Sequence, residues 1–386
     1  MKVPLLVIAF HSVKRSWYNI SRNAMYKPQL VNGSKCSIID LKSDTVTQPC
    51  TEMKERMVSA IVGDDVYGDD VNVNALEAES AKLFDKEAGL FVASGTMGNL
   101  LAVLAHTQRG DEIIVGREQH IHRWEQGNYA QYGGICAALI ANKPDGTMPL
   151  DEIEASVRER NDFHSPKTTL ICVENTHNFV GGVPIGGEYF ASVRKIADKH
   201  NCKVHLDGAR IFNAAVKLGT TVKELTKDVD SVMMCFSKGL GAPIGSIIVG
   251  TKEFIDRARY IRKGLGGGWR QAGYMAACAR FALEKAEETT KKDHERVEHI
   301  ISEFTKINAV NSNVVRVQEG PRTNMIFLIC QKPATPFDVV EHFKNNNIAV
   351  MEFDNARVRM VLHRNITDQD VESVIEVYKS LIQKYN

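Results

Sequence analysis

The sequence predicts an α/β domain built on a mostly parallel sheet, followed by a smaller α+β domain. Two observations carry this expectation. Between about residues 90 and 250, short apolar runs alternate with helical stretches, the pattern of a parallel sheet flanked by helices. From about residue 289 the character changes, with charge crowding at Lys291–Glu298 and a different mix of strands and helices after it. The expected division is an N-terminal extension over 1–37, a large domain over 38–288 and a small one over 289–386.

The elements follow in order. Met53, Met57 and Ile61 recur every four residues and predict a helix near 51–62. Leu76, Leu83 and Phe84 predict a second over about 74–87, with Gly89 as its stop. Leu90–Ala93 reads as a strand that runs through Ser94-Gly95-Thr96-Met97-Gly98-Asn99 into a third helix. Further strands are expected at Glu112–Val115, Thr169–Val173, Lys203–Leu206, Ser231–Phe236 and Gly245–Val249. Helices are expected at 151–159, 188–200, 252–263 and 273–288. In the small domain, Asn324–Cys330 and Arg357–Leu362 read as strands. Its last helix opens on a capping box, Thr367 with Asp370, and keeps Val371, Val374, Ile375, Tyr378, Leu381 and Ile382 in helical spacing.

Composition excludes some functions. Across 386 residues, 48 Lys and Arg face 47 Asp and Glu, so a broad basic face for nucleic acid has no support. No apolar run nears the roughly 20 residues that span a bilayer, which argues against a membrane protein. The eight cysteines include no Cys-x-x-Cys pair, so no metal site is expected. Cys172, Cys202 and Cys235 read as reduced core residues of a cytoplasmic protein. Residues 1–39 hold six Lys or Arg, five Ser and no acid, a composition like a mitochondrial transit peptide. An extension with no address, or a secretory leader, are the other readings.

Three passages carry chemistry. Ser94–Gly98, between a strand and a helix, is a candidate anion cradle: amides at a helix N-terminus point outward and favour negative charge. Gly95 would let the backbone approach a phosphate, and Thr96 adds a hydroxyl. Asp207, in His205-Leu206-Asp207-Gly208-Ala209-Arg210, ends an apolar strand, where open α/β sheets place ligands. Lys238, beside Gly239 and Gly241, follows another strand and could reach into the same cleft as a nucleophilic amine. Each has a bland alternative: an ordinary turn, an N-cap aspartate, a surface lysine. Together they are the parts that pyridoxal 5'-phosphate needs. The lysine forms a Schiff base, the aspartate keeps the ring nitrogen protonated, and the cradle holds the phosphate. The cradle matches neither Gly-x-x-x-x-Gly-Lys nor Gly-x-Gly-x-x-Gly, so a P-loop or a nicotinamide site is not supported.

The chain also resembles the threonine aldolases, pyridoxal-phosphate enzymes of the aspartate-aminotransferase fold (fold type I), and among them the low-specificity L-threonine aldolase type. The motifs run in order from Ile39–Thr47 through Val62–Asp70, Ser94–Asn99, Ala105–Glu112, Glu174–Asn178, Asp207–Arg210 and Ser237–Leu240 to Leu265–Gly273. The resemblance implies roles. Lys238 would hold the cofactor, Asp207 its ring nitrogen, and Gly95 and Thr96 its phosphate. His120 would stack on the ring, with His122 as a second candidate. His177 would lie near the substrate's β-hydroxyl. Ser43, Arg210 and Arg359 would hold the amino-acid carboxylate, although Arg357 shares the strand. Arg270 would reach a phosphate in a neighbouring subunit of a homodimer or homotetramer, although Trp269 departs from the family pattern. Arg210, Lys238, Arg270 and Arg359 would form a local cationic cluster.

The implied reaction cleaves L-threonine or L-allo-threonine to glycine and acetaldehyde. His177, His120 or a phosphate-linked water would be the base. Other reactions on the same scaffold are β-elimination, hydroxymethyl transfer and transamination, and fold alone does not choose among them. A silent binding protein would be expected to lack the lysine or the aspartate.

Overall fold

The computed structural model describes residues 38–158, 163–311 and 313–386. The basic leader expected over 1–37, Cys36 included, lies outside the described residues.

Thirteen strands form three sheets among these residues. They are β1 (Ile39–Asp40), β2 (Ala88–Val92), β3 (Glu112–Gly116), β4 (Cys136–Ile140), β5 (Thr168–Glu174), β6 (Lys203–Asp207) and β7 (Ser231–Cys235). Then come β8 (Ser246–Gly250), β9 (Val315–Val317), β10 (Met325–Cys330), β11 (Ile348–Ala349), β12 (Met351–Glu352) and β13 (Arg357–Val361). The main sheet has the order β2-β8-β7-β6-β5-β3-β4. All its strands run parallel except β8, which is antiparallel to both neighbours. This is the mostly parallel α/β sheet that the alternation predicts.

The period of two along each strand sorts the side chains. Val204, Leu206, Val232 and Met234 face one core, with Phe190 and Val193 of helix Gly187–Lys199. Met233, Cys235 and Ile248 face another, with Leu101 and Ala102 of helix Gly95–His106. A separate core holds Leu41, Val297, Ile300, Phe304, Leu328, Met360 and Tyr378, with the Phe304 and Tyr378 rings stacked at 3.6 Å. Leu41 belongs to this core, and β1 pairs in parallel with β11. Helix Ala286–Ala309 links the cores: Ala286 lies in the first, and Val297, Ile300 and Phe304 lie in this one. No helix of the described residues is long and apolar enough to cross a membrane.

Several expected boundaries move for local reasons. The first helix stops at Val58, and Ile61 is exposed instead of continuing its face. The second begins earlier, at Val71, because the Asp70 carboxylate accepts from the amides of Asn72 and Val73. It ends at Phe84, with Asp85 in the left-handed region. Gly89 is therefore not a helix stop. It lies in β2, where a Cβ would come within 2.8 Å of the Glu77 carbonyl oxygen. The expected helix 273–288 is two helices, Gly273–Glu284 and Ala286–Ala309. The edge strand β4, largely solvent-facing, and helix Ile211–Leu218 were not foreseen.

Gly98 fixes how helix Gly95–His106 lies on the sheet. A Cβ there would meet Met233 Cγ at 2.7 Å and Ile248 Cγ2 at 3.1 Å. Gly98→Ala should therefore destabilise the chain by about 1–3 kcal/mol, the range for overpacking a core, despite alanine's better helix propensity. Urea unfolding followed by circular dichroism checks this; an unchanged or raised midpoint contradicts it.

Candidate active site

Most of the side chains singled out in the sequence gather at the C-terminal edge of the main sheet, where a parallel sheet binds ligands. Gly95 and Thr96 follow β2, His120 follows β3 and His177 follows β5. Asp207 ends β6, Arg210 follows it, and Lys238 follows β7. Ser43 and Arg359 come from the other core, after β1 and within β13.

Asp207 is buried and held from two sides. Asn99 Nδ2 donates to its Oδ2 at 2.9 Å, and the Ala209 amide donates to its Oδ1 at 3.0 Å. The same Asn99 nitrogen donates to Glu125 Oε1 at 2.8 Å. His120 Nδ1 lies 2.8 Å from that oxygen, and the His120 amide donates to Glu174 Oε2 at 2.7 Å. Burial opposes charge on the His120 ring, but the Glu125 bond and the charges of Asp207 and Glu125 outweigh it, so its pKa rises. Burial also raises the pKa of Glu125, against the bond from His120. His122 turns elsewhere, with Nδ1 2.9 Å from the Tyr129 hydroxyl. Of the two histidines in the motif, only His120 joins Asp207. Ligand atoms of His120, Glu125 and Asp207 lie within 4.8 Å of one another, but they already accept from or donate to the groups just named.

Two arginines converge on Asn178. Arg210 Nη1 lies 3.3 Å and Arg359 Nη1 3.5 Å from Asn178 Oδ1. They are not equivalent. The Asp44 carboxylate accepts from Arg210 Nε and Nη2, each at 2.7 Å. Burial works against the Asp44 charge, but the Arg210 charge and its bonds hold the carboxyl well below the usual range. Asn324 Nδ2 adds a donor to Asp44 at 3.3 Å. Arg359 has no such partner. Its Nε is buried without an acceptor, while Nη2 donates to the Lys42 carbonyl at 3.1 Å. Burial, then the like charge of Arg210, pulls its pKa down to about 10. Arg357 is engaged elsewhere: it pairs with Asp354 at 2.7 Å and lies over the Phe179, Phe327 and Phe353 rings. The Ser43 hydroxyl accepts from the Thr45 amide at 3.3 Å and the Thr45 hydroxyl at 2.9 Å.

The remaining groups are unsatisfied. His177 is fully buried, and neither ring nitrogen has a partner among the described residues. Gly146, with φ +85°, packs on it; a Cβ there would meet His177 Cβ at 2.6 Å. The Lys238 side chain is half-buried and its amine makes no hydrogen bond among the described residues, yet its charge bears on both Asp44 and His120. The amides of Gly95 and Thr96, at the start of helix Gly95–His106, donate to no group of the described residues, while the Met97 amide donates to Ser94 Oγ at 3.2 Å.

Some expectations change. Gly95 has a packing reason to be small as well: a Cβ there would meet Cys235 Sγ at 2.9 Å and Met233 Cε at 3.1 Å, so it lets the helix dock on β7. Arg270 bonds none of the other site residues. It is exposed and pairs with Asp64 at 3.0 Å, beside a Trp269 packed on Phe91. Of the four expected cations, Arg210 and Arg270 each hold an acid, Asp44 and Asp64. Asn99, Glu125, Glu174 and Asp44 were not given roles from the sequence. All but Glu125 stand inside the quoted motifs, but only the fold shows what they touch.

A family profile described as Beta-eliminating lyase matches residues 40–328. An uncharacterised protein of Caenorhabditis elegans is 52% identical over 355 residues, covering 90% of this chain and 84% of that protein. The low-specificity L-threonine aldolase 1 of Arabidopsis thaliana is 42% identical over 345 residues, covering 88% of this chain and 95% of that protein. Among solved structures, the threonine aldolase of Leishmania major superposes with a TM-score of 0.72 at 17% identity, covering 89% of this chain and 99% of that one. At that identity it shows the shared fold.

Asp44→Asn leaves Arg210 buried without its counter-charge and should cost about 3–5 kcal/mol of stability at neutral pH, measured by urea unfolding. The sign with pH follows from the depressed pKa. The Asp44 contribution is complete above the unfolded carboxylate value of about 3.9 and drains away as pH falls below it, so the gap between variant and parent should close on acidification. An equal gap at pH 7 and pH 3 contradicts the assignment.

Proposed function

Since the chain belongs to the beta-eliminating lyase family, we propose that it cleaves L-threonine and L-allo-threonine to glycine and acetaldehyde with pyridoxal 5'-phosphate as cofactor. The observation that carries the reading is His177, an enclosed imidazole with both nitrogens open, one residue from the Asn178 on which two arginines converge. A β-hydroxy amino acid supplies what this corner lacks: a carboxylate for Arg359 and a hydroxyl for His177. The named relative from Arabidopsis thaliana supports the same activity.

The cofactor fits the unsatisfied groups. Lys238 offers an unbonded amine, Asp207 a buried acceptor for a ring N–H, and the Gly95 and Thr96 amides a positive helix end for the phosphate. When bound, the cofactor supplies an electron sink for the pair left on Cα as the Cα–Cβ bond breaks. The chain does the rest. Arg359 and Ser43 hold the carboxylate, and Arg210, fixed by Asp44, adds an oriented donor. This clamp sets the angle of the scissile bond, and orientation is a large share of such barriers. His177 binds the β-hydroxyl. His120, with Nδ1–H on Glu125, keeps Nε2 to accept the hydroxyl proton.

In a homodimer or homotetramer, the exposed Arg270 would reach a phosphate bound by another copy. The buried free cysteines Cys172, Cys202 and Cys235 support a reducing compartment such as the cytoplasm.

The purified protein should be yellow with bound cofactor and should release acetaldehyde from L-threonine, followed with a coupled reductase. Lys238→Ala should abolish both the colour and the product. Release of a 2-oxo acid without acetaldehyde would place the chain with another reaction of this chemistry. The kcat/KM for L-threonine should fall on acidification with a midpoint above the ordinary imidazole value of about 6.5, because protonated His120 has no lone pair to accept with. A profile flat between pH 6 and 8 would remove His120 from the proton transfer.

A further inference from the structure

Behind Asp207 a chain of buried polar groups crosses the sheet edge, and no role in the reaction has been given to it. Asn99 Oδ1 lies 3.1 Å from His205 Nε2. His205 Nδ1 lies 2.9 Å from Ser231 Oγ, which lies 2.8 Å from His106 Nε2. Asn99, His205, Ser231, Asp207 and Glu125 are all buried. The periodicities explain the alignment. His205 and Asp207 are two apart on β6 and share a face, and Asn99 and His106 are seven apart, two turns of one helix.

The bonds admit one direction. Asn99 Nδ2 has two hydrogens and two carboxylate acceptors, Asp207 Oδ2 and Glu125 Oε1. Its Oδ1 must then accept, so His205 donates from Nε2. His205 Nδ1 must accept from the Ser231 hydroxyl, and Ser231 Oγ accepts from His106 Nε2–H. This direction holds for neutral rings, and burial keeps both neutral, driving His205 down to about 4 and His106 to about 3. Every donor in the chain meets an acceptor, so the Asn99 amide cannot flip without breaking three bonds.

We propose that Asn99 is a positioning residue that couples the two acid–base centres of the site: one amide hydrogen holds Asp207, and the other holds Glu125 and, through it, His120. The inference rests on the pyridoxal-phosphate reading above. On that reading Asp207 sets the ring nitrogen's proton and His120 the substrate's, and a single carboxamide locked by His205 and Ser231 ties them together. The charged and titratable groups facing the pair are His120 and Lys238 from the loops after β3 and β7, Glu174 and Cys172 on β5, and His205 on β6.

The test is Asn99→Leu, close in size but without donors, and Asn99→Ala should the leucine variant not fold. Two titrations are read. One is the pH dependence of the 15N chemical shift of cofactor labelled at its ring nitrogen, which reports that nitrogen and needs no turnover. The other is the acid limb of kcat/KM, which reports His120. Losing the shared donor makes both carboxylates more basic, so both midpoints should move to higher pH, each by about one unit, the equivalent of one ordinary hydrogen bond. A merely structural role would lower the unfolding midpoint and leave both titrations in place. Both midpoints unmoved, or one moved without the other, overturns the coupling. Failure of the parent protein to bind the cofactor would instead overturn the reading on which the inference stands.

Discussion

The cost of burying charge governs this molecule. Asp44, Asp207, Glu125, Arg210 and Arg359 all lie within the protein at one end of the sheet. An ionised group without partners there costs several kcal/mol, so each must find donors or a counter-charge. Asp44 takes Arg210, Glu125 takes His120, and Asp207 takes Asn99 and the Ala209 amide. Among the groups left unsatisfied by the described residues are His177, Arg359 Nε and the amides that open helix Gly95–His106. These unsatisfied groups are the ones to which the proposed reading assigns an anion at the helix end, a carboxylate at Arg359 and a hydroxyl at His177.

Packing makes that arrangement possible. Helix Gly95–His106 must lie close to β7 for Asn99 to reach Asp207 and His205. Gly95 and Gly98 permit it, because a Cβ at either would meet Met233. The same approach turns the helix N-terminus toward the C-terminal edge of the sheet. The reach of Asn99 and the placement of the Gly95 and Thr96 amides are therefore consequences of one docking. The second core contributes from the other side: β1 pairs with β11, which anchors Ser43 and Asp44, and β13 brings Arg359 to the same place.

Much of this was legible in the sequence, for reasons that differ by residue. The strands of the main sheet other than β4 were readable because they are buried on both faces and appear as short, mainly apolar runs. Asp207 and Lys238 were readable because polar residues immediately after such runs sit at the sheet edge. β4 was not readable, because an edge strand with exposed residues carries no such run. Asn99 and His205 were hidden for another reason. Nothing local distinguishes an asparagine inside an apolar helix or a histidine inside an apolar strand, and their meaning lies in a contact 106 residues apart along the chain. Arg359 and Arg357 could not be separated by alternation, since both occupy the same face of β13. The difference is Asp354, which takes Arg357 and leaves Arg359 without an acid.

The inequality of the two arginines bears on selectivity. A cluster of four cations would attract any polyanion. Arg270 is held by Asp64 and Arg210 is cancelled by Asp44, so the corner around Asn178 presents one uncompensated guanidinium, Arg359, beside a guanidinium that supplies direction without net charge. On the proposed reading such a corner would take one carboxylate. A second carboxylate on the same ligand would meet His177, enclosed and without a cation of its own, and would lose hydration without compensation. A neutral hydroxyl incurs far less desolvation and satisfies the ring. The buried Asp44 stabilises Arg210 inside the protein, and on the proposed reading, by removing that charge, it would also tune the corner to amino acids with one carboxylate and a neutral, hydrogen-bonding side chain.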